Sequence, residues 1–308
     1  MLENLRKYVR QLLIESAIHP KIEKQLRKIQ DQNLVVFARF NSFDASWGSA
    51  TVEIVENVKK STSPRYLARL QAKSSKKDAG NCNGAFLISG GGVFAERNLG
   101  PLLYDIAFEL AELAGFDGMG PDPREVSSEA KAVWDYYLNN RNDIEAKQRD
   151  FFESPVTEPT TDDCYGQDAV ADAFPGGRTA AYTRSRHIAP VSFDDPEEGY
   201  TVPEEYSKEF IDFYFDPQYS LSKTYHKKTR GTPIIDFLRD NLLLHPYSAV
   251  SLNRPYTVDE VKNMLNTNPQ MYQQYFVTRK YSNGGWKKTK LSNEEIEQWI
   301  LDKWVNPK

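Results

Sequence analysis

From Ser89 to Pro101 the chain reads SGGGVFAERNLGP, a run whose residue types suit the holding of a negatively charged group. An apolar stretch enters three glycines, Gly90, Gly91 and Gly92, which read as a turn that opens onto an amphipathic helix. Pro101 stands at the first helical position, with φ preset and no amide to leave idle, and Gly100 removes side-chain obstruction just before it. The N–H groups of a first helical turn have no partner within the helix, so they suit a phosphate or pyrophosphate. Successive glycines also let a cofactor pass close to the backbone.

The elements that must position this run are legible as changes of period. Two helices are predicted over residues 3–32: Leu5, Val9, Leu12 and Leu13 form one apolar stripe, and Pro20 restarts a helix carrying Ile22, Leu26 and Ile29. Four strands follow over 33–40, 49–58, 65–73 and 84–89, each β-branched or aromatic and bounded by polar turns. A helix over 101–115, a short apolar segment near Phe116–Met119 and a helix over 127–141 complete this part, the last with Ser127 as N-cap and Glu129 in its first turn. Residues 153–205 are rich in Pro, Thr, Asp, Glu and Gly and predict a long irregular excursion. Helical and extended character returns over 206–244. Residues 256–304 read as a small unit. It has capping boxes at Thr257/Glu260 and Ser292/Glu295, and between them two strands joined by a turn at Ser282-Asn283-Gly284-Gly285.

Composition excludes several classes. The 308 residues carry 39 Lys and Arg against 43 Asp and Glu, a net charge of −4, which gives nucleic acid or an anionic membrane no electrostatic hold as main partner. No apolar run approaches membrane-spanning length, and the N-terminal MLENLRKYVRQLLIES alternates charge with leucine unlike a signal peptide, so a soluble cytoplasmic protein is expected. Cys82 and Cys164 share no metal-ligand spacing. His19, His187, His226 and His245 are scattered and predict surface or capping roles. Walker, Gly-x-Ser-x-Gly and His-Glu-x-x-His motifs are absent. Asp105, Glu109 and Glu112 share one helix face and read as solvated, while Tyr104, Trp134, Tyr136 and Tyr137 read as packing between helix and sheet. Arg178, Arg184, Arg186 and His187 form a local basic patch read as a solvated loop, and Lys287, Lys288 and Lys290 read as guards of an edge strand.

The segments RNLGPLLYDIAFELA and VSSEAKAVWDYYLNNRNDIEAKQ, followed by Asp162-Asp163-Cys164, resemble GNAT-like, acetyltransferase-type proteins encoded by bacteriophages, over roughly residues 33 to 170. That superfamily comprises acyl-CoA N-acyltransferases. The resemblance implies an α/β (α+β) fold, a mixed and mostly antiparallel sheet flanked by helices, over residues 1–150. A partly irregular segment, 151–245, would pack on it, with a small helix–hairpin–helix unit at 246–308. It implies acetyl-CoA as cofactor, held by Ser89, Gly90, Gly91, Arg97, Asn98, Leu99 and Gly100. The superfamily's Gln/Arg-x-x-Gly-x-Gly/Ala loop aligns here with Ala95, Asn98 and Gly100, so the final glycine is kept and Asn98 is a residue tolerant of the left-handed conformation. Arg97 supplies a charged donor to phosphate.

Acyl transfer from a thioester to an amine needs a polarised carbonyl, a neutral amine and a proton for the departing thiolate. The resemblance places that proton on a tyrosine where this chain has Trp134, so Tyr136 or Tyr137 would substitute from the next turn. Glu96, Asp105 or Glu109 would serve as base, and a splayed strand at Ser89–Gly92 would offer the backbone N–H. The acceptor would be an amine on a small molecule, a protein or a modified base. The alternative is the same fold without catalysis, a virion-associated or host-interaction protein. That protein would bind phage or host partners through its C-terminal half, in the host cytoplasm or the virion.

Overall fold

The computed structural model describes residues 18–43, 48–56, 65–74, 85–121, 126–151, 164–166, 212–213, 215–267, 277–282 and 285–305. The predicted helix around Leu5–Leu13, the turn residues Asn283 and Gly284 and the basic patch at 178–187 lie outside them. Helix α1 spans Pro20–Asp31, with Pro20 at its start, His19 as N-cap and the predicted stripe Ile22, Leu26 and Ile29 buried. Strands β1 (Val35–Phe43), β2 (Gly48–Glu56), β3 (Arg65–Ser74) and β4 (Ala85–Ala95) form an antiparallel meander. Helix α2 (Gly100–Leu113) crosses to β5 (Gly118–Pro121), which pairs parallel to β4. Helix α3 (Ser128–Asn140) begins with Ser127 Oγ accepting from the Ala130 amide, as its sequence predicts, and leads to β6 (Ile144–Phe151).

Eight strands make one mostly antiparallel sheet in the order β1-β2-β3-β4-β5-β8-β6-β7, where β7 is Cys164–Gly166 and β8 is Lys223–Lys227. Neither β6 nor β8 reads as a strand in the sequence, because EAKQRD and KTYHK are as polar as a helix surface; their pairing with each other defines them. Cross-strand partners share a face, so the register sorts the sheet into two sides. Val36, Ala38, Val52, Ile54, Ala68, Leu70, Ala72, Ile88 and Met119 form an apolar side. Helix α2 lies on it, buried at every residue from Leu102 to Ala111, as a central helix covered all round. Tyr225 belongs to the same side and stacks on Trp134 of α3 at 5.0 Å, so α3 lies there too.

Helix α4 (Pro233–Asp240) packs on α2, α5 (Pro246–Ser251) and the π-turn at Leu301–Val305 cover the other side of β1, and α6 (Val258–Thr267) packs on α7 (Asn293–Ile300). His245 stacks on Phe37 at 4.0 Å and meets Trp304 edge-on at 5.6 Å. The chain at 243–248 also covers the open edge of β1: the Val36 amide donates to Leu243 O at 2.8 Å and the His245 amide donates to Val36 O at 2.8 Å. Both predicted capping boxes are present, Thr257/Glu260 before α6 and Ser292/Glu295 before α7. Strands β9 (Val277–Ser282) and β10 (Gly285–Lys290) form a separate hairpin. One buried apolar cluster runs from Ile18 to Trp304 through all these layers.

Two readings are corrected. The glycines do not form a turn: Gly90, Gly91 and Gly92 lie within β4, and the turn falls later, at 96–99. A bulge absorbs them, since Ala72 pairs with Ile88 and Leu70 with Val93, so that Ser89 to Gly92 face the single residue Gln71. The acidic face of α2 is not solvated either: Asp105 is 1% exposed and Glu109 0%. Both face α3 and the C-terminal half, neither of which the helix's own periodicity can reveal.

Candidate anion-binding site

Strands β4 and β5 stay paired from Ala85/Gly118 to Ile88/Pro121, after which β4 bulges and β5 ends. Helix α2 starts at this same end of the sheet. Arg97 and Asn98 precede it in the left-handed region, at φ 54° and 61°. Asn98 is suited to that conformation by its short polar side chain; Arg97 is not, and its neighbours hold it there. Lys28 of α1 donates to Arg97 O at 2.8 Å, and Gln25 of α1 donates to Asn98 O. The Arg97 guanidinium grips Glu56 at 3.2 and 3.1 Å and Gln32 at 3.0 Å. It therefore braces the turn from beneath and is not presented to a phosphate. Leu99 is buried and closes the turn, donating to Glu96 O at 3.1 Å and accepting from the Leu103 amide at 3.2 Å.

Pro101 occupies the first turn of α2, and no side chain caps it. A Cβ on Gly100 would meet only Ala95 Cβ, at 3.8 Å, so glycine here answers no steric demand of the protein itself. The structure thus joins Arg97, Asn98, Leu99 and Gly100 in one turn. It sets Ser89, Gly90 and Gly91 apart from that turn, in the bulge below.

The three acid–base candidates are not assembled. Glu96 accepts from Arg65 at 2.6 Å on the surface beside the turn. Tyr136 is half-buried, edge-on to His19 at 6.4 Å with Lys21 Nζ 4.2 Å over its ring. Lys21 and Lys28 are seven residues apart on α1, about 10 Å along a helix, so Tyr136 and Glu96 lie at opposite ends of α1. Tyr137 is buried, and its hydroxyl donates to Asp105 at 2.7 Å. Burial first, and then Asp105, push its phenol well above the ordinary range. Arg141 completes this cluster with paired bonds to Asp105, both 3.1 Å, and to Asp143, both 2.7 Å. Burial works against the Arg141 charge, but the two carboxylates outweigh it and hold the guanidinium ionised.

Glu109 has a comparable structural task. Its carboxylate accepts from Lys227 at 3.0 Å and from the Ile234 and Ile235 amides at 3.0 and 2.8 Å, so it caps α4 from within α2. Burial pushes Lys227 down, and Glu109 beside it reverses this and keeps the ammonium charged. Glu112 accepts from the Gly231 amide at 2.8 Å and fixes the approach to α4. Asp105 and Glu109 are therefore occupied in joining helices. Sequence reasoning passed over one further residue: Arg149 of β6, 2% exposed, donates through Nη1 to Pro121 O at 2.9 Å where β5 ends. Its only sequence signal is a lone arginine between glutamine and aspartate, which reads as surface.

No protein family, no curated protein and no solved structure matches the chain.

Proposed function

We propose that the protein is a GNAT-like acyltransferase that holds an acyl-CoA by its pyrophosphate over the first turn of α2 and passes the acyl group to an amine. The uncapped start of α2 carries the proposal, because it follows a braced left-handed turn and stands at the end where the parallel strands β4 and β5 part. Backbone amides there offer a preorganised positive end for the diphosphate. The bulge at Ser89–Gly92 takes amides out of the β3–β4 ladder, and one of them would polarise the thioester carbonyl. Among the described residues no hydrogen bond engages the Tyr136 hydroxyl, which leaves it, and not Tyr137, as donor of the proton to the thiolate.

A second reading, a non-catalytic binding protein of the same fold, is favoured by one observation: Tyr137 and Glu96 are already engaged by Asp105 and Arg65. Thermal unfolding with and without CoA and acetyl-CoA tests both. At a hundredfold excess over the dissociation constant, a ligand of the folded form alone stabilises it by about 2.7 kcal/mol. Gly100→Ala is expected to keep the shift and Gly100→Trp to abolish it, since only the larger side chain covers the amides. No shift for the wild type rejects the cofactor and the acyltransferase together. A shift without CoA thiol release, over a panel of amines, selects the second reading.

A further inference from the structure

The net charge of −4 is an average, and one short segment departs from it. Residues 277–290, VTRKYSNGGWKKTK, hold five cations, Arg279, Lys280, Lys287, Lys288 and Lys290, and no acid. Strands β9 and β10 pair this segment into a two-stranded antiparallel ribbon outside the eight-stranded sheet. Among the described residues no other helix or strand packs along it. The register sets Lys287 opposite Lys280 and Lys288 opposite Arg279. Like charges directly opposite each other destabilise a strand pair, so these residues work against the ribbon and suit it to an external counter-charge. Protection of an edge strand does not account for paired cations on both faces. Cross-strand partners share a face, and successive residues alternate between faces. One face carries Tyr281/Trp286, Arg279/Lys288 and Val277/Lys290; the other carries Ser282/Gly285, Lys280/Lys287 and Thr278/Thr289. An aromatic pair and a cationic pair are thus neighbours on one face, about 7 Å apart along the strands.

We infer that the β9–β10 ribbon binds single-stranded nucleic acid, its cations meeting phosphates and Tyr281 and Trp286 providing rings on which bases stack. Proteins that hold single strands combine these two elements, positive charge along the backbone and aromatic rings for the bases. In a duplex the bases are stacked on one another and show a protein only their edges, so the aromatic pair favours a single strand. Val277 is the one aliphatic residue of the ribbon, and cations stand on both faces, so neither face is an apolar one for a lipid surface. An acidic peptide answers the charge alone, whereas a single strand answers the charge and the aromatic pair together. The inference is independent of the acyl-CoA site, since no residue of 89–101 takes part.

The test is fluorescence anisotropy of a labelled oligothymidylate of about 20 nucleotides, titrated with the full chain between about 50 and 200 mM sodium chloride. Each phosphate neutralised on a single strand adds about −0.7 to the slope of log affinity against log salt, so five cations set a limit of about −3.5 for the wild type. The double variant Lys280→Gln/Lys287→Gln is expected to bring that slope about 1.4 nearer to zero. It also removes a like-charged pair, so its unfolding midpoint should match or exceed that of the wild type. Trp286→Ala should bind about tenfold more weakly, and Trp286→Phe should recover most of the loss, because the smaller ring still offers a stacking face. No binding by the wild type, or an unchanged affinity and slope in the double variant, overturns the site. Tighter binding of the matching duplex, or equal binding by Trp286→Ala, overturns the choice of a single strand. Displacement of the oligonucleotide by phosphatidylserine vesicles or poly-glutamate at equal charge concentration overturns the choice of nucleic acid.

Discussion

His245 offers a quantitative check on how the C-terminal half is joined to the sheet. It is fully buried between Phe37 and Trp304, and its Nδ1 accepts from the Tyr247 amide at 3.1 Å, capping α5. An imidazolium has no lone pair to accept that bond. Burial, and then Arg39, lower its pKa from 6.5 to about 3. A folded-state value below the unfolded one means that the unfolded chain binds the extra proton. The stabilisation is therefore present above pH 6.5 and is lost as pH falls towards the folded value. For one such histidine the loss between about pH 8 and pH 5 is about 2 kcal/mol. His226, lowered by burial to about 4 and bonded through Nδ1 to Asp117 O at 3.0 Å, adds a similar amount. Urea unfolding followed by tryptophan fluorescence across this range measures the slope. His245→Asn retains a good N-cap and does not titrate. Its stability is expected to fall by about 2 kcal/mol less than that of the wild type over the same range. Parallel curves for the two proteins would refute a buried neutral His245, whatever the absolute stability of the variant.

Glu109→Gln removes the charge that balances buried Lys227 and weakens the cap on α4, so urea unfolding should show a loss of about 3–5 kcal/mol. Tyr137→Phe deletes a buried bond to a carboxylate, with an expected cost of about 2 kcal/mol in the same assay. Because Tyr137 joins α3 to α2 and not to the turn at 97–100, the acetyl-CoA shift in unfolding midpoint should be unchanged in that variant; its loss would return Tyr137 to the site.

Elements whose signal is local were legible. Helix α1 carries its stripe at Ile22, Leu26 and Ile29, and the caps at Ser127, Thr257 and Ser292 bond as their spacing predicts. Both halves of each cap lie within four residues, so the sequence contains the whole interaction. The start of α2 at Gly100-Pro101 was legible for the same reason, as was the left-handed tolerance of Asn98. The glycine run was misread because glycine marks a bulge and a turn alike, and only the β3 register separates them.

The sequence by itself determined α1, α2 and α3, the capped starts of α6 and α7 and the cores of the first four strands, since each is set by propensity, spacing or capping within a few residues. The tertiary structure decided what each charge is for. Asp105 and Glu109 read as solvated until Tyr137, Arg141, Lys227 and the amides of α4 are brought beside them from 32 to 126 residues away. It also decided that EAKQRD and KTYHK are neighbouring strands, and that Arg149 is buried against the end of β5. A polar side chain's energy depends on whether water or a partner surrounds it, and that is fixed only when distant segments meet.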